Sequence, residues 1–163
     1  MTILSIFDNE LLDKRGSILR ASIAIPLMFP FEKINGQYYA DGGLSEPIPV
    51  NKSIADGNDK NIIVLTRNEG YRKTKSKANE ITYKIYKKKY PKLAKVLRER
   101  YIKYNKQLDY CKELEENGKV LIIRPTISMN ISRFERDKNK LKAIYQNGYD
   151  LIIKDKEKIL NYI

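Results

Sequence analysis

The chain has no histidine and a single cysteine, Cys111. It lacks the G-x-S-x-G turn that exposes a nucleophilic serine and a glycine-rich phosphate loop, and no apolar run approaches the roughly 20 residues needed to span a bilayer. Each absence excludes something. One cysteine cannot form an internal disulfide and fits a reducing cytoplasm. With no histidine beside it, a structural zinc site is not expected, and no motif calls for a cofactor. Met1 to Phe7 is apolar but has neither a basic flank nor a small-residue cleavage site, so it does not read as a signal peptide. Any enzymatic chemistry must run through Asp41, in an acid-glycine-glycine run, or through residues the chain does not contain.

What is abundant is positive charge. The formal net charge is +12, and fourteen Lys/Arg against two acids (Glu80 and Glu99) lie between Tyr71 and Lys106. That segment alone accounts for the excess. Three readings fit it. It is the solvated face of a long helix, or a patch for an anionic membrane centred on Lys84, Lys87, Lys88 and Lys89, or a nucleic-acid surface. For nucleic acid, basic charge is necessary but far from sufficient. Hydrophobic content of 42% and charged content of 32% describe a globular chain with a polar surface, and 163 residues suffice for one domain with a core.

Along the chain, Asn9 to Ala21 reads as a helix capped by Asp8, with Leu11, Leu12, Ile18 and Leu19 as apolar positions and Gly16 weakening its middle. Pro26 and Pro30 end it and impose extended backbone before them. Asn35-Gly36 sits between Phe31–Ile34 and Gln37–Ala40. This is the signature of a hairpin with a type I′ turn, which needs positive φ at both central residues. Gly42 and Gly43 predict an exit from that hairpin through backbone that larger residues resist. Val50–Ala55 reads as a short helix closed by Asp56-Gly57.

Asn61–Thr66 and Lys119–Arg124 are continuous aliphatic runs without alternation, which predicts strands buried on both faces of a mostly parallel sheet. Between them lie helical segments, Ala78–Lys89 and one opened by Pro91 and ended by Asn117-Gly118. In the second, Leu93, Leu97, Tyr101, Tyr104, Leu108, Cys111 and Leu114 form one apolar stripe, with Lys92, Lys95, Arg98, Lys103 and Lys106 mostly off it. Cys111 therefore reads as core, not as a nucleophile. From Asp137, apolar positions Leu141, Ile144, Tyr145, Tyr149, Ile152, Ile153 and Leu160 predict one or two closing helices.

Asp41-Gly42-Gly43 alone is ordinary turn chemistry. Its setting is more specific. Ala21-Ser22-x-Ala24-x-Pro26, Phe29-Pro30, Gly36-x-x-Tyr39-x-Asp41-Gly42-Gly43 and Pro47-x-Pro49-Val50 follow one another within about thirty residues. This series resembles the patatin-like phospholipase family, and the resemblance extends more loosely through Asn61–Arg72, the basic helices and the Val120–Pro125 strand. It implies an α/β chain that is the C-terminal portion of a three-layer α/β/α fold, with residues 1–58 carrying the catalytic aspartate. Residues 59–163 would be a strand-helix-strand-helix remainder that includes the basic segment 71–106.

The resemblance also implies a serine lipid acyl hydrolase working through a Ser–Asp dyad without histidine. Asp41 would be the base and Gly42 and Gly43 its supporting motif. The family's glycine-rich oxyanion segment and G-x-S-x-G elbow lie N-terminal to the matched part, and Ser5, Ser17, Ser22, Ser45, Ser53, Ser76, Ser128 and Ser132 all lack that context. Expectations follow: the N-terminal half is missing, the chain alone is inactive on esters, and sheet edges are left for a missing half or a second copy to cover. The alternative reading is a non-catalytic basic module on anionic membrane or nucleic acid. Both place the protein in the cytoplasm, the membrane version at the inner membrane face.

Overall fold

A computed structural model describes residues 15–128, 131 and 135–163. The element order is α1 (Arg15–Ser22), β1 (Glu32–Ile34), β2 (Gln37–Tyr39), a 3₁₀ turn (Gly42–Leu44), α2 (Val50–Ala55), β3 (Asn61–Val64), α3 (Lys77–Tyr86), α4 (Pro91–Glu116), β4 (Val120–Ile123), α5 (Lys138–Lys154) and α6 (Lys156–Tyr162). The expected helix start at Asn9, its Asp8 cap, Leu11, Leu12, Ser5 and Ser132 lie outside the described residues. The described chain is mixed α/β and divides into two compact units. One comprises the chain up to Pro49 with Lys73–Leu108. The other comprises Val50–Arg72 with Asp109–Ile163.

In the first unit the Asn-Gly turn forms as its sequence requires. Asn35 has φ 50° and Gly36 φ 80°, the two positive values of a type I′ turn. β1 and β2 pair antiparallel as Glu32↔Tyr39, Lys33↔Tyr38 and Ile34↔Gln37. Arg20 of α1 fixes the hairpin from one side, its Nη2 donating to Glu32 Oε1 at 2.7 Å. Phe31 fixes it from another, with its ring 5.7 Å from the centroids of both Tyr86 and Tyr90. Ala21, Ala24, Ile34, Leu44, Ile48, Ala94 and Leu97 are buried here.

In the second unit β3 and β4 pair in parallel, Asn61↔Val120 through Val64↔Ile123, and Leu65 N–H continues the ladder to Ile123 O. β4 is buried at all four positions, as its unbroken aliphatic run implies. β3 is not. Its residues alternate, with Ile62 and Val64 40% and 69% exposed, so this run covers one face only. The Tyr162 hydroxyl bridges the strand starts, accepting from Asn61 N–H at 3.1 Å and donating to Lys119 O at 2.8 Å.

The stripe on α4 holds: Leu97, Cys111 and Leu114 are buried, joined by Ala94 and Gln107. The helix ends at Asn117-Gly118 as expected. Gly118 has φ 70°, its N–H reaches Glu115 O, and Lys119 N–H reaches Leu114 O, satisfying two terminal carbonyls. The expected helix through Lys89 closes earlier, at Tyr86, and Lys87–Lys89 form a turn before Pro91. Two closing helices form, with Asp137 capping α5 through the Asn139 and Lys140 amides. Their covered face differs from the expected one. Ile144, Leu151, Ile159 and Tyr162 are partly covered, while Leu141, Tyr145, Tyr149, Ile152, Ile153 and Leu160 are exposed.

Candidate functional site

Asp41 lies two residues past the end of β2 and caps the 3₁₀ turn. Its Oδ1 accepts the Gly43 N–H at 2.7 Å, and its own N–H donates to Ala24 O at 3.0 Å. The second bond ties the acid to the Ala21–Pro26 element, whose Ala21 and Ala24 are 3% and 1% exposed. Both are closely covered, so a larger side chain at either position would have to displace packed neighbours. Leu44, also buried, anchors the far end of the turn.

The glycines act differently from the expectation. Neither Gly42 nor Gly43 has positive φ; that geometry belongs to Asn35 and Gly36. At Gly43 the requirement is space: a Cβ there would lie 3.0 Å from Asp41 Oδ1 and 3.6 Å from Arg100 Nη2. At Gly42 a Cβ would meet no described atom within 4 Å.

α4 supplies a clamp that sequence reasoning missed. Arg100 Nε donates to Gly43 O at 3.0 Å, and Lys103 Nζ lies 2.6 Å from Glu46 Oε2. Gln107 donates to Glu46 Oε1 and accepts the Ile48 N–H at 3.1 Å. Residues 100, 103 and 107 share one helix face by their three- and four-residue spacing, and together they hold residues 43–48. The one available signal was that spacing, a polar row beside the apolar stripe. Its partners lie 57 to 61 residues away, beyond any local pattern.

Asp41 is half-buried, and among the described residues no donor reaches its Oδ2. A carboxylate so held can accept a proton from a hydroxyl brought within roughly 2.6–3.2 Å. No described serine does this. Ser17 accepts from Arg20, Ser22 donates to Leu19 O, Ser45 donates to Gly42 O, and Ser53 accepts from Asn58. Cys111 is buried, and burial pushes its thiol up to about 11, so it is no nucleophile. Among the described residues no cluster of acids, histidine or cysteine could hold a metal.

The sequence-predicted patch is at the surface. Lys84 lies on α3, Lys87–Lys89 in the turn after it, and all four are exposed. Lys89 Nζ sits 5.3 Å from the Tyr90 ring centroid. No described helix is long and apolar enough to cross a membrane.

Against known proteins, residues 11–53 match the family model of the patatin-like phospholipases, a segment that contains Asp41, Gly42 and Gly43. Residues 90–163 match the model of a domain of unknown function, DUF6363. No curated protein and no solved structure matches the chain. The similarity to lipid hydrolases thus rests on the segment that builds the Asp41 turn.

Proposed function

We propose that this chain is the aspartate-bearing part of a patatin-like lipid acyl hydrolase with a three-layer α/β/α fold, in which Asp41 is the general base of a Ser–Asp dyad. The observation that carries the reading is the suspension of Asp41 from Ala24 O within the segment similar to patatin-like phospholipases. The nucleophile comes from polypeptide outside these 163 residues, because no serine here stands in a G-x-S-x-G context.

In the reaction, the Asp41 carboxylate takes the proton from the serine hydroxyl as its oxygen attacks the ester carbonyl carbon. The tetrahedral adduct collapses with release of the alcohol, which recovers that proton. Water then enters by the same route and releases the fatty acid. The Arg100 clamp keeps the turn from moving during proton transfer.

Alone, the chain is expected to hydrolyse no long-chain or p-nitrophenyl ester above the buffer rate. Joined to a polypeptide that bears the nucleophile elbow, it is expected to turn these esters over, and Asp41→Asn to abolish that turnover. Retained turnover in Asp41→Asn would remove Asp41 from the mechanism.

A further inference from the structure

Three consecutive apolar side chains, Leu27, Met28 and Phe29, stand 55%, 44% and 48% exposed at one turn of the first unit. The turn is not slack. Pro26 is buried beneath it, and the Met28 and Phe29 N–H groups both donate to Ile25 O, at 3.1 and 3.0 Å. Leu27 is held at φ 70°, a left-handed backbone that a bulky residue resists. A strained leucine kept in solvent contributes nothing to the core. Such outliers persist where the surface they present is used.

Two residues further on, Phe31 packs on Tyr86 and Tyr90, so this turn joins the hairpin beside the α3–α4 connection. That connection carries Lys87, Lys88 and Lys89. On α3, Ile81, Lys84 and Ile85 lie on one face by their spacing, with Ile81 58% and Ile85 53% exposed. At the hairpin, exposed Tyr38 has Lys33 Nζ 5.9 Å from its ring centroid. Apolar tips, lysines and an aromatic–lysine pair are the composition of a surface that settles into a headgroup layer.

We propose that the first unit docks on an anionic lipid surface through the Leu27–Phe29 turn, with Lys84 and Lys87–Lys89 pairing with headgroup phosphates. Charge complementarity chooses this occupant, since the Tyr71–Lys106 segment carries fourteen basic residues against two acids. Single-stranded nucleic acid would need free aromatic faces for stacking. In the basic segment five of the six tyrosine rings have partners: Tyr71 lies under Arg67, Tyr83 under Arg98, Tyr86 and Tyr90 against Phe31 and Tyr104 under Lys73. The proposal stands apart from the role given to Asp41. Vesicle binding reads one and ester turnover the other, so either can fail alone.

The test uses the full chain and vesicles of phosphatidylcholine with or without phosphatidylglycerol. The chain is expected to co-sediment with the anionic vesicles at low salt and not with the neutral ones. Replacing Lys84, Lys87, Lys88 and Lys89 together by Gln should weaken binding on the order of a thousandfold. Leu27→Ser with Phe29→Ser should remove the part that survives high salt. Because the chain has no tryptophan, Phe29→Trp gives a direct reporter whose emission should shift to the blue on anionic vesicles, whatever the serine variants do to folding. An unshifted emission, binding equal in the serine variant, or stronger retention by an oligonucleotide at the same salt would overturn the proposal. So would a dimer in light scattering that the serine substitutions abolish.

Discussion

At the scale of single residues, the Asp41 turn depends on a few side chains whose roles are spatial. Gly43 leaves room for the carboxylate oxygen 3.0 Å from where its Cβ would be, and Gln107 supplies the buried Ile48 N–H with its acceptor. Gln107→Leu should therefore cost about 1–3 kcal/mol, the penalty of a buried donor left without a partner, read as a lower midpoint in urea denaturation. An unchanged midpoint would show that water serves Ile48 equally well. Cys111 gives a second residue-level outcome. Burial raises its thiol to about 11, so near neutral pH almost none is thiolate. Labelling by a thiol reagent should be slow in the folded chain and fast in denaturant; equal rates would contradict its place in the core.

The distinction between Asp41 and Cys111 was legible in the sequence. One stood in a turn motif and the other on an apolar stripe. The steric meaning of Gly43 was not legible, because acid-glycine-glycine reads equally as a demand for positive φ, and only the position of the carboxylate separates the two.

Among the elements, the hairpin and α4 announced themselves because their signals are local. Asn-Gly sets two backbone angles, and a stripe repeating every three or four residues sets a helix. β3 did not, since Asn61–Thr66 has the same aliphatic run as β4, and nothing within it says that Ile62 and Val64 face solvent. The closing helices misled in a related way, for aromatic and aliphatic residues surround α5 and the buried face cannot be chosen from composition.

Two outcomes belong at this scale. Tyr162→Phe should loosen the junction of β3 and β4 by about 1–2 kcal/mol, since one hydroxyl serves both Asn61 and Lys119. The Arg20–Glu32 pair should leave a mark on acid stability. Hydrogen bonding from Arg20 holds the Glu32 carboxyl below its ordinary 4.5. A depressed carboxylate contributes stability above its unfolded value and loses it as pH falls through the folded one. Thermal melts should therefore show Glu32→Gln losing less stability than the parent on acidification below about 4.5. A parallel fall in both would mean that the pair is too solvated to matter.

For the whole molecule, each unit is assembled from two separated stretches of chain, and this places the candidate chemistry where local reading could not. Residues 43–48 are held by Arg100, Lys103 and Gln107, and the Leu27–Phe29 turn stands beside a connection that begins nearly sixty residues later in the chain. The sequence supplied the aspartate and the lysines; the clamp and the exposed apolar turn became visible only when those stretches were brought together. The most direct test is the kcat of p-nitrophenyl ester hydrolysis by the chain joined to a polypeptide carrying the serine elbow, compared with Asp41→Asn. A proton acceptor in the transition state should make kcat fall on the order of 10²–10⁴-fold with KM little changed. A kcat within a few fold of the parent would contradict it.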